Sequence, residues 1–418
     1  MIAGALGPDN RQAGPCYNDG HTVARRERQV IVYTNLGHAL VHAVETAYGA
    51  LLLDIASDLG SSEAFMGGVA TVFGWAFGTT AFPAGLLSDR MGPRRVLGMT
   101  FAGASAAALM VSLAFSPWLL ALAMGLLGLA IGMYHPAATA LIAYGVGERG
   151  VAMGMHGAAG NIGLALAPGI AGGIAVLADW RWAYVLLACL AAALALWATR
   201  LPGARLQVVT ADVDSRSARG GLPLAPRVAV ALLLVYSLSV LVGIVYRGTL
   251  TFLPSHIKLE VSDDLGDWLT TAAYLMGAVG QYAGGLLTRR LRVEVLAIGV
   301  TAAALLPLAL MGVLSGVPLL TAAAAFVFFS FARQPIYNTL IADYSPARLV
   351  GSSFGLYFLA EFGLGGTGGI IAGAAVDRWD TSAAFLAMAG IWSLAVVASL
   401  GLPLLGRRLR AGLRPAQV

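Results

Sequence analysis

The chain has 418 residues, of which 58% are hydrophobic and only 11% charged, with a formal net charge of +5 and a mean hydropathy of +0.78. Soluble chains carry about 25% charged residues, so a charged aqueous surface over this length is excluded, as is a disordered chain, which needs low hydrophobicity and high charge. Lipid is the remaining solvent, and the basic surplus is read first as membrane topology.

Residues 1–28 are a polar tail. The apolar run that starts near Val30 is too long for the core of a cleavable signal, so it reads as a span that stays. A bilayer core about 30 Å thick needs roughly 20 apolar residues in a helix. Twelve such runs follow, at 30–53, 64–87, 96–115, 118–143, 151–177, 181–199, 228–253, 267–288, 294–314, 318–342, 350–375 and 382–404. The expected fold class is an all-α membrane protein of twelve transmembrane helices in two six-helix bundles. Its parts are a cytoplasmic tail 1–28, a bundle 29–200, a polar linker 201–226, a bundle 227–405 and a basic tail 406–418. The alternation of a transmembrane β-barrel is absent. Cys16 and Cys189 give neither a disulfide framework nor metal-ligand spacing.

Charge placement sets the orientation. Of the 26 Lys and Arg, only Arg181, Lys258 and Arg378 fall in the odd-numbered turns, and only Arg247 and Arg333 lie inside spans. The rest lie in the even-numbered turns, the linker and the tails, so both termini are expected in the cytoplasm. The halves also repeat each other. The fourth run ends His135-Pro136-Ala137-Ala138-Thr139-Ala140-Leu141-Ile142-Ala143, and the tenth ends Gln334-Pro335-Ile336-Tyr337-Asn338-Thr339-Leu340-Ile341-Ala342. A six-plus-six repeat predicts two facing bundles with a site between them near the midplane.

The second and third runs are joined by Gly85-Leu86-Leu87-Ser88-Asp89-Arg90-Met91-Gly92-Pro93-Arg94-Arg95. This stretch resembles the signature of the major facilitator superfamily of secondary transporters. The resemblance implies a conformational latch: Gly85 for close helix contact, Asp89 facing a helix N-terminus of the other half, Arg90, Arg94 and Arg95 as cations, and Gly92 in the turn. Gly154, Gly163, Pro168 and Gly172 in the fifth run resemble the bent, small-residue helix of the family's antiporters. The alternative is plain small-residue packing. Gly132-Met133-Tyr134-His135-Pro136-Ala137, His42 with Glu45, and Arg247 before Thr251-Phe252-Leu253-Pro254 resemble the fosmidomycin-resistance-like branch.

Spacing supplies the candidate chemistry. Asn35, His38, His42, Glu45 and Gly49 step by 3, 4, 3 and 4 along the first run, which places them on one helical stripe. A lipid-facing Glu is costly, so the stripe is expected to face the bundle interior or an aqueous cavity. Glu45 with His42, assisted by His38, reads as a proton relay. A polar packing stripe is one alternative. A divalent-metal site made of His38, His42 and Glu45 is another. In the second half, Arg247 and Arg333 are expected to hold an anionic or zwitterionic solute bidentately, with Glu361 pairing one of them when the site is empty. A structural Arg333–Glu361 bridge is the alternative. Tyr134, His135, Gln334, Asn338 and Tyr357 are further candidate cavity residues, as are His156, Asn161, Gln281 and Tyr282.

No phosphate-binding loop motif is present, and Lys258 is the only lysine. The expected function is a proton-coupled antiporter that exports a small organic molecule, and not an enzyme. It would act as a monomer in a bacterial-type inner membrane, with the proton gradient as its energy source, no cofactor, and no nucleic-acid partner. Proton symport, metal or metal-chelate transport, and a non-transporting membrane sensor are the alternatives.

Overall fold

The computed structural model describes residues 19–201, 226–346 and 350–406. Within lipid every backbone polar group must be satisfied internally, and the described chain answers with helices throughout. In the first half these are α1 (Asp19–Ala50), α2 (Leu52–Asp58), α3 (Glu63–Met91), α4 (Pro93–Ser112), α5 (Pro117–Gly132), α6 (Tyr134–Gly145), α7 (Arg149–Leu177) and α8 (Trp180–Arg200). The second half contains α9 (Pro226–Glu260), α10 (Gly266–Leu287), α11 (Val293–Met311), α12 (Gly316–Tyr344), α13 (Val350–Phe358), α14 (Gly368–Arg378) and α15 (Thr381–Ser399). Among the described residues, nine helical stretches are long and apolar enough to cross a membrane, or ten if the bent α1–α2 pair counts as one. α3 and α10 are also long helices but are not among them.

Three of the expected spans are not plain rods. The first begins at Asp19, well inside the expected polar tail, and bends by 56° between α1 and α2. The fourth is interrupted at Met133 between α5 and α6. The eleventh passes from α13 through a π-turn at Leu359–Gly363 and a 3-10 turn at Leu364–Thr367 into α14. Glycines at 363, 365, 366, 368 and 369 explain the third interruption, since they weaken helix propensity and admit close neighbours. Four helices that begin at one end of the bundle, α3, α5, α8 and α15, are N-capped by Ser62, Ser116, Asp179 and Asp380.

The halves meet along a seam of small residues. A Cβ on Gly74 would lie 2.9 Å from Gly366 Cα, and one on Gly373 would lie 2.9 Å from Ala64 Cα. Thr71 Oγ1 donates to the Gly366 carbonyl at 2.9 Å and accepts from the Ile370 amide at 2.9 Å. At the Glu63 end, Asp377 accepts from the Ala64 amide at 2.8 Å, so a carboxylate of one half caps a helix N-terminus of the other. Towards the Met91 end the seam opens into a cavity of about 630 Å³ lined by Ala81, Gly85, His135, Thr139, Ser352 and Phe358, among others.

The expected latch differs in its details. Gly85 has open space around it and borders that cavity, so it makes no close helix contact. Arg94 donates from Nε to the Ala198 carbonyl at 2.7 Å and from Nη2 to the Thr199 carbonyl. It therefore satisfies the carbonyls at the C-terminus of α8, in its own half, where a cation is favoured. Gly92 joins α3 to α4 at φ 85°, a conformation natural only to glycine. Arg90 and Arg95 are exposed, and the side chain of Asp89 lies outside the described residues.

Glu63 is expected to make the sealed end pH-sensitive. It lies just outside the apolar run, and burial, together with the nearby Asp377 charge, raises its carboxyl above the usual value. The sealed state therefore binds a proton more tightly than a separated one, so sealing gains stability as pH falls through that raised value and loses it as pH rises. Spin labels at Ser57→Cys and Arg378→Cys are expected to report a larger sealed population in acid, and Glu63→Gln is expected to remove that dependence.

Candidate functional site

The Glu45–Gly49 end of the α1 stripe faces the second half. A Cβ on Gly49 would lie 2.6 Å from the Leu250 carbonyl of α9. One turn away, Arg247 Nη2 donates to Glu45 Oε1 at 2.9 Å, with both side chains buried. The Arg247 guanidinium also stands 5.3 Å over the Phe73 ring of α3. Tyr246 Oη donates to Glu45 Oε2 at 3.4 Å, and His42 Nδ1 lies 3.0 Å from the same oxygen. His42 Nε2 faces His38 Nε2 at 3.1 Å, and His38 Nδ1 meets the His156 carbonyl at 2.6 Å. One bonded chain thus runs from α9 through α1 to α7.

Hydrogen-bond chemistry restricts the protons in this chain. The His156 carbonyl can only accept, so His38 Nδ1 carries a proton. Glu45, as the carboxylate partner of Arg247, also only accepts, so His42 Nδ1 carries one too. The two Nε2 atoms then face each other with lone pairs, and a bond between them requires one added proton. Four of the chain's six histidines converge here: His38 stacks on His156 at 4.0 Å, and His135 lies 5.1 Å from His38 and 5.6 Å from His42 between ring centroids.

Beside this bonded chain lies a cavity of about 120 Å³. It is lined by His38, His42 and His135 of the first half and by Arg333, Gln334, Asn338 and Glu361 of the second. His135 and Phe358 also border the larger cavity, so the two are neighbours. Arg333 Nη2 donates to Glu361 Oε1 at 2.6 Å, and the π-turn places Glu361 at the cavity edge. Such turns are frequent at functional sites. Arg333 Nε and Nη1 and Glu361 Oε2 are buried without hydrogen-bond partners. These polar atoms lie buried beside the hydroxyls of Tyr357 and Tyr337. Asn161 of α7 donates to Gln281 of α10, and Gln281 Nε2 donates to Gln334 Oε1 at 3.0 Å, which closes an amide chain across the halves.

Three residues expected to touch solute lie elsewhere. Arg247 is taken up by Glu45, Tyr134 donates to the Thr34 carbonyl, and Tyr357 is buried; none of them lines the small cavity. Conversely, Tyr246, Ser330, Phe331, Phe358 and Phe362 line it, and nothing in the sequence singled them out. Along α7, Gly163 packs against the Ala39 backbone and Gly172 against Asp267 of α10, whereas Gly154 has open space and Pro168 sits inside a continuous helix.

The family model for the Major Facilitator Superfamily matches residues 34–366 and 235–417. The chain belongs to the major facilitator superfamily. Its sequence and its all-helical fold are those of that family. The chain is 26% identical over 173 residues to the membrane sensor protein UhpC of Salmonella typhimurium, a match covering 40% of this chain and 39% of that protein. It is 32% identical over 140 residues to the puromycin resistance protein pur8 of Streptomyces alboniger, covering 33% and 28%. These matches therefore span well under half of each relative. The nucleoside transporter NupG (D323A mutant) superposes with a TM-score of 0.74 at 15% identity, covering 90% of this chain and 99% of that one. The inward open xylose transporter XylE of E. coli gives 0.73 at 12% identity, covering 90% and 96%. At these identities the structural likeness concerns the fold.

Proposed function

We propose that this transporter is a proton-coupled antiporter that exports a small anionic or zwitterionic organic compound by alternating access. It would act as a monomer in a bacterial-type inner membrane, with both termini cytoplasmic. The observation that carries this reading is the shared cavity. The His38–His42 pair, which takes one proton, and the Arg333–Glu361 ion pair border the same small cavity. A proton on the histidine pair therefore adds positive charge to the space a solute occupies. Coupling follows when the two conformations bind proton and solute differently. Glu45, anchored by Arg247, orients His42.

Export is supported by the likeness to a puromycin resistance protein and by the small-residue pattern of the fifth run. The fosmidomycin-resistance-like branch is the one whose motifs this chain resembles. In this orientation the 630 Å³ cavity opens to the cytoplasm, where an exporter loads.

The test begins with a thermal-shift screen of small carboxylates, phosphonates and amino acids on the purified protein. Hits are then assayed in proteoliposomes of known orientation under an imposed pH gradient. Solute movement counter to proton flow is expected. Movement with the proton would replace antiport by symport, and no movement of any binder would leave the sensor reading. Arg333→Ala is expected to weaken anionic hits roughly tenfold or more beyond its effect on neutral ones, the scale of a charge-assisted contact. Equal losses for both would make the arginine structural.

A further inference from the structure

We propose that His38, His42 and His135 bind a divalent transition-metal ion of the zinc class. Their candidate ligand nitrogens all lie within 4.8 Å of one another. Zinc binds imidazole nitrogen at about 2.0–2.1 Å, which puts two nitrogens of a tetrahedral ion about 3.3 Å apart. His38 Nε2 and His42 Nε2 are already 3.1 Å apart. The outer nitrogens are held as metal-bound imidazoles usually are. His42 Nδ1 meets the Glu45 carboxylate at 3.0 Å and His38 Nδ1 meets the His156 carbonyl at 2.6 Å, which fixes both tautomers with Nε2 free to ligate.

Sequence spacing alone offers Glu45 as the third ligand. The fold gives that place to His135, because Glu45 is held by Arg247. Three imidazoles without a carboxylate ligand suit a borderline ion better than calcium or magnesium, which require oxygen. His135 borders both cavities, so an ion would enter through the larger one. A fourth position facing the small cavity would be left for water or an anionic group. The site stands on the geometry of the three imidazoles and does not depend on proton coupling or on the direction of transport.

The experiment uses the purified full chain in detergent with the metal alone. Equilibrium dialysis with Zn²⁺ is expected to give one ion per chain. Co²⁺ is expected to develop the visible absorption of a four-coordinate site, and Cu²⁺ to show three coupled nitrogens in its paramagnetic resonance spectrum. His42→Ala and His135→Ala are each expected to abolish binding, while Glu45→Gln weakens it by roughly 10–100-fold. Wild-type protein that binds no Zn²⁺, or a Cu²⁺ spectrum with fewer than three nitrogens, would overturn the site even if the variants fail to fold. His135→Ala binding as tightly as wild type would remove the third ligand. Proton-driven transport in metal-free proteoliposomes is measured separately, so either reading can fail without the other.

Discussion

Arg247→Ala is expected to destabilise the purified transporter more than the double change Arg247→Ala with Glu45→Ala. The guanidinium and the carboxylate are both buried at the junction of the halves, 2.9 Å apart. Removing only the arginine leaves an uncompensated charge, at a cost of about 3–5 kcal/mol for a buried pair. Removing both leaves a cavity but no orphan charge, so part of the loss is recovered. The same single change frees Glu45 from its anchor and with it the orientation of His42. Proton-driven transport is therefore expected to fail in Arg247→Ala even under mild conditions where the protein remains folded. Melting curves of the two singles and the double, read as a thermodynamic cycle, provide the check. Additive effects would mean that the pair contributes nothing beyond its separate side chains.

Gly78→Val is expected to trap the transporter with its Glu63 end unsealed. A Cβ at this position would run into the Gly363 backbone and lie 2.9 Å from the Phe362 carbonyl carbon. Backbone cannot step aside as a flexible side chain can, so the sealed state takes an overpacking penalty of about 1–3 kcal/mol. The unsealed state does not. A bias of that size moves a two-state population by roughly 5–150-fold. Ala70, buried beside Gly369 in the seam, is the reporter. Ala70→Cys is expected to react slowly with a membrane-impermeant thiol reagent in the otherwise wild-type chain and quickly when Gly78→Val is added, with transport lost. Unchanged labelling would mean that the seam does not open there.

The α1 stripe could be read from the sequence because helical spacing is a local property. Asn35, His38, His42, Glu45 and Gly49 fall on one face, and the cost of a charge in lipid turns that face inward. What lay beyond reach was the pairing. Arg247 is far away in the chain, and from sequence it was expected to hold a solute, with Glu361 as the acid that pairs an arginine when the site is empty. Only the approach of α9 to α1 gives it to Glu45. The same holds for His135, which looked like one polar residue among several and proved to be the neighbour of His38 and His42. Tyr246, Phe331, Phe358 and Phe362 carried no signal at all, since an aromatic residue that lines a cavity reads like one that faces lipid. The interruption at Leu359–Gly363 was hinted at by its glycines, yet its consequence for Glu361 depends on packing against α9 and α3. Arg94 is legible in the sequence as a cation of the motif, while its partners, the last carbonyls of α8, emerge only from the fold.

The seam between the halves also bears on how fast the molecule can cycle. Along α3 and the broken eleventh span it is made largely of glycine and alanine, joined by a few hydrogen bonds through Thr71 and Ala64. Such residues have almost no rotamer freedom to lose, whereas a seam of long side chains would give up about 1.5–2 kcal/mol for each Lys, Arg or Met it immobilised. Opening and resealing therefore leave side-chain entropy nearly unchanged. The two conformations can lie close in free energy, and the modest binding energy of one small solute is enough to tip between them.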